Sequence, residues 1–302
     1  MTPVTPSFPV LKLPYLAVKN VIKTMRISSM IYLAVCSKKM RSLVQSTFSK
    51  PNNMHIEIYE RHLSLRVSGS ICFEVAQIPT GQLRFQGRFR LKVCNMNLKD
   101  WFDLFMYAFR CDWIELASTS AWSHLRAAQL LEGREVSSLF LIHDNNDFIV
   151  KTLDMFMPTK ELNLSNRPSK EEPYLRNIFT RNFDSIHLSF PISLEELCSI
   201  NSASINIDFL SVKDFKKFLK NWVNGGNPRL QKLDVNVMKN DKKKKYMADY
   251  LSGIDINSFK IEEKDGDSWE SFNIQRSDGT TAEVRIDDTH VRTHFAVIPK
   301  SN

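Results

Sequence analysis

Apolar residues recur at helical spacing three times within residues 8–50. Leu13-Pro14 opens the first segment, since proline is tolerated where the leading N–H groups of a helix have no partner anyway. The second segment, around Met30 to Val35, is apolar nearly all round, which in so short a helix indicates burial on more than one side. Ser28 and Ser37 are the expected N-caps of the second and third helices. Three helices this short have little interior, so the pattern predicts that something else covers part of their apolar surface.

The pattern changes to period two after the helices, which is typical of short antiparallel strands. The predicted strands are Ile56 to Ile58, Leu63 to Val67, Ile71 to Val75 and Phe89 to Val93. Two helices are expected to follow, from Asn97 to Arg110 and from Ser123 to Leu131. The aromatic residues of the first of these helices recur at helical spacing, and we interpret that stripe as core. The pattern therefore predicts that residues 54–135 form a β-rich segment with helices.

Strands and helices alternate over residues 136–252, and each strand has two aliphatic residues separated by one residue. The strands are Leu139-Phe140-Leu141, Leu162-Asn163-Leu164, Ile186-His187-Leu188, Ile205-Asn206-Ile207 and Leu233-Asp234-Val235. Their spacing of 19 to 28 residues matches the length of a leucine-rich repeat, about 20 to 29 residues. Capping boxes are expected at Ser169 with Glu172, Ser193 with Glu196 and Ser211 with Asp214. The pattern over residues 136–252 therefore predicts a parallel sheet that is flanked by helices and built from degenerate repeats.

Residues 253–302 return to a β pattern. The predicted strands are Trp269 to Gln275, Thr280 to Ile286 and Val291 to Ile298, with Asp278-Gly279 as a hairpin turn between the first two. We expect these strands to form a C-terminal β cap on the last repeat.

The N-terminal helices resemble an F-box, the module by which substrate receptors dock on the Skp adaptor of a Skp/cullin/F-box ubiquitin ligase. Leu13-Pro14 matches the opening Leu-Pro of that module, and Tyr15-Leu16 stands where the family commonly has an acidic pair. The positions of its closing pattern are occupied by Leu33, Val35, Cys36, Ser37, Lys38, Lys39 and Met40. The wording LAVCSKKMRSLV is most similar to F-box proteins of a large nematode family that carry a type-two F-box-associated domain.

The resemblance and the residue patterns together predict an α+β protein: a small three-helix F-box at residues 8–50, followed by an α/β leucine-rich-repeat-like substrate domain, with an antiparallel β-rich middle segment and a C-terminal β-hairpin cap. The resemblance implies a Skp-type adaptor as partner, a cullin reached through that adaptor, and a protein substrate that the sequence does not identify. The adaptor-facing residues carried over from the motif are Leu13, Pro14, Val18, Val21, Ile22, Leu33, Cys36 and Met40. For Val18 and Leu33, packing inside the module is an equal alternative.

The net charge of +8 lies entirely at the N-terminus, because residues 1–56 hold eight basic residues and no acidic one. Such a one-signed field speeds encounter with an acidic partner. Skp adaptors are acidic as a family, so the resemblance implies this sign. Nucleic acid, which is also acidic, would be attracted by the same field. The alternatives to a ubiquitin-ligase receptor are therefore a basic nucleic-acid-binding protein and an adaptor-independent repeat scaffold. The basic run Lys242 to Lys245 lacks interleaved aromatic residues, and we interpret it as a solvated helix start, with a nuclear-import or nucleic-acid signal as the alternative.

Motifs of phosphate cradles, nucleophile elbows and zinc proteases are absent from the sequence, so we expect no enzyme and no cofactor. His290 and His294 stand at i, i+4 within a predicted strand, too far apart for routine joint ligation, and we expect no metal site there. The five cysteines are widely spaced and odd in number, which favours buried thiols over disulfides. No membrane span or signal peptide is recognisable, so we expect an intracellular protein of the cytoplasm, the nucleus or both.

Overall fold

The computed structural model describes residues 13–48, 54–59, 62–67, 70–77, 83–86, 96–118, 124–168, 172–238, 251, 253–264, 267–287 and 292–299. The chain divides into two compact units, Met1–Ala117 with Trp122–Val136, and Ser118–Ala121 with Ser137–Asn302. No described helix is both long and apolar enough to cross a membrane.

The first unit combines short helices with a mixed sheet. Its helices are α1 (Tyr15–Thr24), α2 (Ile27–Cys36), α3 (Lys38–Thr47), α4 (Leu98–Ala108) and α5 (His124–Leu131). Its strands are β1 (Met54–Ile58), β2 (His62–Val67), β3 (Ser70–Gln77), β4 (Leu83–Gln86) and β5 (Ile114–Ser118). The strand order is β5-β1-β2-β3-β4, with β1 and β5 parallel and the other pairs antiparallel.

The three predicted N-terminal helices are confirmed, with one difference at a cap. Ser37 caps α3, since its hydroxyl accepts a hydrogen bond from the backbone N–H of Met40 at 3.1 Å. Ser28 does not cap α2, because that helix begins at Ile27 after Arg26 and Ser28 already lies inside its first turn. The cap predicted at Ser28 is therefore wrong.

Helix α4 packs against the N-terminal helices from within the same chain. It contacts α2 and α3, and the ring of Phe48 meets that of Phe109 edge-on at a centroid distance of 5.1 Å. The aromatic stripe predicted on this helix is core as expected: Trp101, Phe102, Phe105 and Phe109 are all fully buried. Part of the cover that the sequence required for α2 and α3 is thus supplied by the chain itself.

The second unit is built on a sheet that is parallel at one end and antiparallel at the other. Its helices are α6 (Asn146–Met155), α7 (Glu172–Phe179), α8 (Leu194–Ser199) and α9 (Val212–Val223). Its strands are β6 (Ser138–Leu141), β7 (Glu161–Leu164), β8 (Ser185–Leu188), β9 (Ser204–Ser211), β10 (Lys232–Met238), β11 (Asn257–Lys264), β12 (Asp267–Gln275), β13 (Thr281–Asp287) and β14 (Arg292–Val297).

Strands β6 to β10 pair in parallel, in chain order. The five strands predicted from the aliphatic doublets are therefore confirmed. One row of side chains across them is completely buried, and alternate positions form a second face of intermediate exposure. The buried row is Leu139, Leu162, Ile186, Ile205 and Leu233. Of the predicted helix starts, Ser193 with Glu196 is a complete capping box, Ser211 caps α9, and Ser169 lies outside the described residues.

The antiparallel strands join the parallel ones through β14, which pairs with β10. The order is β10-β14-β13-β12-β11, so the last strand in the sequence lies next to the parallel strands. Gly279, with φ of +81°, closes the predicted turn between β12 and β13, and the Asp278 carboxylate accepts the backbone N–H of Thr280 at 2.9 Å. Strand β11 was not predicted from the sequence.

A buried amide closes the end of α8. The Nδ2 group of Asn227 donates to the carbonyl oxygens of Leu197, Cys198 and Ile200 at 3.2, 3.3 and 3.0 Å, and the residue is only 5% exposed. Its φ of +46° lies in the left-handed region that asparagine tolerates better than most residues. This one side chain supplies the donor for the carbonyls of Cys198 and Ile200, which the end of a helix would otherwise leave without one, and adds a second donor to the carbonyl of Leu197, which also accepts from the backbone N–H of Ile200.

We expect Asn227→Ala to lower the free energy of unfolding of this unit by about 2–3 kcal/mol, because buried carbonyls lose their donor and alanine is strained at positive φ. Urea unfolding followed by circular dichroism measures the change. Asn227→Gly removes the strain but not the loss of donors, so it should remain destabilised by about 2 kcal/mol. Asn224→Ala, at an exposed C-cap, is the matched control. Wild-type stability of Asn227→Gly would contradict this role.

Candidate functional site

Apolar side chains are exposed at several positions around α1. Leu16 is 72% exposed, Tyr15 54% and Val21 37%, and Pro14 precedes them at an exposed position. We call these four residues the α1 apolar surface. Several large apolar side chains exposed on one short helix are typical of a contact site for another protein.

The eight adaptor-facing residues predicted from the motif fall into three groups. Pro14, Val21 and Cys36 are exposed, Leu13 and Leu33 are half-buried, and Val18, Ile22 and Met40 are buried among the helices. Exposure of Cys36 also shows that the buried-thiol prediction is wrong at that position, whereas Cys111 is buried as predicted.

The charge around the α1 apolar surface has one sign. Residues 13–48 contain lysines and arginines but no acidic residue. The ammonium group of Lys19 lies 4.6 Å from the centre of the Tyr15 ring. Hydrogen bonds with Lys19 and Ser46 lower the pKa of the Tyr15 hydroxyl. An acidic partner is the kind of surface that this field attracts.

A second candidate site lies in the other unit, between α7 and α8. It is a pocket of about 550 Å³ that combines charged and apolar side chains, and we call it the α7–α8 pocket. Its lining residues are Arg167, Arg176, Phe179, Pro191, Ile192, Ser193, Glu195, Glu196 and Ser199.

The parallel pairing of β7 and β8 explains the position of this pocket. Arg167 follows the carboxyl end of β7, and Pro191 follows the carboxyl end of β8. Because these strands are parallel neighbours, the residues that follow them emerge at the same edge of the sheet. The carboxyl edge of parallel strands is where open α/β sheets commonly bind their ligands.

Arg167 and Glu196 form the ion pair of the pocket that has the most hydrogen bonds. The two terminal nitrogens of Arg167 donate to the two carboxylate oxygens of Glu196 at 3.3 and 2.5 Å, and Nη1 also donates to the carbonyl oxygen of Pro191 at 3.3 Å. The backbone N–H of Ser193 donates to the same carboxylate at 2.7 Å. Burial alone would raise the pKa of Glu196, but the hydrogen bonds from Arg167 and Ser193 outweigh it, and the pKa lies below its usual value.

Arg176 and Glu195 form a much looser pair at the rim. Their closest side-chain atoms are 3.4 Å apart, and the side chains are 68% and 84% exposed. Ion pairs this exposed contribute from nothing to about 1 kcal/mol of stability, because water screens them and both side chains lose freedom. The rim pair is therefore easily exchanged for a pair with a ligand.

Polar side chains also lie on the less buried face of the parallel sheet. Cross-strand register places Asn163, His187, Asn206, Asp234 and His294 in one row. The imidazole Nδ1 of His294 contacts the Asp234 carboxylate, and Lys232 lies 2.6 Å from its other oxygen. Burial would raise the pKa of Asp234, but Lys232 and His294 lower it below its usual value. His290, the other member of the predicted pair, lies outside the described residues.

Among the residues that the structure describes, one cluster in the first unit has ligand atoms close enough for a metal ion. Ligand atoms of His55, Glu57 and Glu115 lie within 4.8 Å of one another. The Glu57 carboxylate is already bound by the protein, however: Arg66 Nε is 2.6 Å from one oxygen and the Tyr59 hydroxyl donates to the other at 3.0 Å. Because a guanidinium neutralises the charge that a cation would need, we assign no ion to this cluster.

Sequence reasoning identified the α1 helix but missed the α7–α8 pocket. Two signals were present: Arg167 and Pro191 follow consecutive strands 24 residues apart, and Ser193 with Glu196 was recognised as a cap. Their meeting depends on strand order, which the spacing alone does not establish. The exposure of Leu16 was also missed, since the motif assigns no apolar contact to that position.

Two family models match the chain. An F-box domain model matches residues 10–51, which include α1, α2 and α3, and a model described as F-box associated matches residues 174–235, which include most of α7 and reach into β10. The predicted combination of these two modules is confirmed. The second match contains most of the residues that line the α7–α8 pocket. Comparison with curated proteins and with solved structures finds no match.

We expect Glu196→Gln to lower the free energy of unfolding of this unit by about 1 kcal/mol at neutral pH, since it removes the charged partner of Arg167, itself 42% exposed and partly screened. The pKa of Glu196 is depressed in the folded state, so its contribution is present above the usual value of 4.5 and is lost as the pH falls through the folded pKa. Urea unfolding near pH 7 and near pH 3.5 should therefore show a difference from wild type that shrinks in acid.

Glu195→Gln is the matched control for this prediction, because its carboxylate is 84% exposed. It should leave the stability almost unchanged at both pH values. An equal effect of the two substitutions, or an effect of Glu196→Gln that is independent of pH, would contradict the assigned ion pair.

Proposed function

We propose that this protein is the substrate-recognition subunit of a Skp/cullin/F-box ubiquitin ligase. The observation that carries the proposal is the F-box match over residues 10–51. This range includes α1, which exposes Tyr15, Leu16 and Val21. The surrounding basic residues without acidic neighbours fit an acidic Skp-type adaptor, and a cullin would be reached through that adaptor. Such a complex works inside the cell, in the cytoplasm or the nucleus.

In this proposal the adaptor contacts the α1 apolar surface, together with Cys36 and the half-buried Leu13 and Leu33. Val18, Ile22 and Met40 act from beneath, because they hold the helices in the arrangement that presents the surface. An interface of this kind has an apolar centre and a charged rim, so the basic residues set the rate of association more than the final affinity.

The second unit holds the substrate in this proposal. Its F-box associated segment, residues 174–235, spans most of the strand and helix alternation, which we take to be a short and irregular leucine-rich-repeat-like array. The receptor itself supplies no chemistry. It raises the effective concentration of a substrate lysine next to the thioester of a ubiquitin-loaded enzyme, which accelerates transfer by position alone.

Nucleic-acid binding is the alternative that the +8 charge favours. Binding to phosphates would weaken steeply as salt rises, because counterions are released on association. An apolar adaptor interface would lose little affinity over the same range. Measurement of both interactions at two ionic strengths separates the two functions.

We expect the double substitution Leu16→Asp with Val21→Asp to weaken capture of a purified Skp-type adaptor by the full-length protein at least about tenfold, since each change buries an unpaired charge at the interface. Pull-down or biolayer interferometry measures the effect. The full chain is the appropriate protein, because α4 covers part of α2 and α3 and a fragment of the first fifty residues lacks it.

Ser42→Asp is the control for an added acidic side chain, since it places one such charge at an exposed polar position of α3. It should retain adaptor binding, and circular dichroism should show that all variants are folded. Undiminished capture by the double variant would refute the α1 apolar surface as the docking site, and no capture by the wild-type chain would refute the proposed function.

A further inference from the structure

We infer that the α7–α8 pocket binds an extended peptide segment of the substrate that carries one large apolar side chain next to a carboxylate of Asp or Glu. This inference rests on the proposed function and names the chemistry of the substrate. The volume of about 550 Å³ lies within the range of ligand sites, roughly 300–1,000 Å³, and exceeds what one side chain fills. Phe179, Pro191 and Ile192 supply the apolar part of the lining.

The hydrogen-bonding groups of the pocket call for a ligand rich in acceptors. An arginine carries five N–H donors and no acceptor. Arg167 uses its terminal nitrogens on Glu196 and Pro191, and among the described side chains Arg176 makes one long contact, with Glu195. The Glu196 carboxylate is occupied on both oxygens, by Arg167 and by the backbone N–H of Ser193. Donors therefore remain available at Arg176, while the acceptors of Glu196 are already used.

Binding requires that Arg176 exchange its present partner, Glu195, for a carboxylate of the ligand. A ligand carboxylate can take the guanidinium of Arg176 in a bidentate pair, which is stronger than its present contact at 3.4 Å. Glu195 then turns to water at little cost, since its side chain is already 84% exposed. The peptide's apolar side chain enters beside Ile192, where it is removed from water.

A single negative charge fits this pocket better than a phosphate. Glu195 and Glu196 both line the pocket, and each repels an incoming anion. A phosphoryl group carries close to two charges at neutral pH, so its attraction to Arg176 and its repulsion by both glutamates double together. Two carboxylates against the one guanidinium that is open to a ligand leave the larger charge at the greater disadvantage. The same two glutamates would attract a basic ligand, but that ligand would bring still more donors to a site whose donors already lack acceptors.

The test uses fluorescein-labelled eight-residue peptides in a Gly-Ser background, with one Leu and one Glu placed at successive spacings. Fluorescence anisotropy is measured with the full-length protein, alone and with the adaptor. At least one spacing should bind, and its Gln counterpart should bind about fivefold or more weakly, as should the counterpart with Ala in place of Leu. The counterpart with phosphoserine in place of Glu should also bind more weakly.

Substitutions in the protein locate the binding. Arg176→Glu should weaken the best peptide about tenfold or more, and Arg176→Lys should retain part of the affinity because it keeps the charge without the bidentate geometry. Ile192→Trp should block the pocket by filling it. Glu195→Gln should tighten binding about two- to threefold by removing the competing partner of Arg176, an effect that loss of structure would not produce.

Lys213→Glu is the control for charge reversal, since Lys213 is exposed on α9 and does not line the pocket. It should leave the affinity unchanged. Failure of every peptide in the series to bind, equal binding of the Glu and Gln peptides, tighter binding of phosphoserine, or weaker binding by Glu195→Gln would overturn the inference. Adaptor capture is measured on the same preparations. If no peptide binds but the adaptor is still captured, only this inference fails and the proposed function remains supported.

Discussion

The second unit depends on the buried face of aliphatic side chains that runs across five parallel strands. Leu139, Leu162, Ile186, Ile205 and Leu233 are each at most 1% exposed, and they stand in register from β6 to β10. Because a shift of one residue would turn every strand's aliphatic side chains to the wrong face, this buried face fixes which residues emerge at the carboxyl edge. Arg167 and Pro191 lie within hydrogen-bonding distance of each other because of that register.

Local patterns predicted most of the fold, because the physics that forms these elements is local. The three N-terminal helices, the five aliphatic strands and the turn at Gly279 all follow from spacing and from turn chemistry. Two of the missed strands have weak signals, since β4, with the sequence LRFQ, has four residues and β11, with the sequence NSFKIEEK, has few apolar ones. The strand β5 carries the same doublet of aliphatic residues, at Ile114 and Leu116, but stands alone before the repeating region. Such strands form because neighbouring strands offer hydrogen bonds, which no short window of sequence reveals.

Exposure at the candidate sites was harder to predict than secondary structure. Val18 and Val21 are three residues apart on α1, yet one is 3% and the other 37% exposed. The motif treats both as contact residues, whereas burial depends on which side of α1 faces its neighbours. Arg167 and Glu196 posed the same problem in another form, since 29 residues separate the two members of that ion pair. Side-chain partners at such separations follow from topology and not from pattern.

Strand order in the second unit also has a consequence for synthesis of the protein. Strand β10 has β9 on one side and β14 on the other, although more than fifty residues lie between β10 and β14. Phe218 and Trp222 of α9 likewise meet Phe295 of β14, at ring distances of 6.3 and 5.0 Å. While the ribosome is still making β11 to β13, the outer edge of β10 has no second neighbour and the α9 aromatic residues lack this packing. A nascent chain stopped before Arg292 would therefore keep an open strand edge beside unpacked aromatic rings, the combination that chaperones bind and that leads to aggregation.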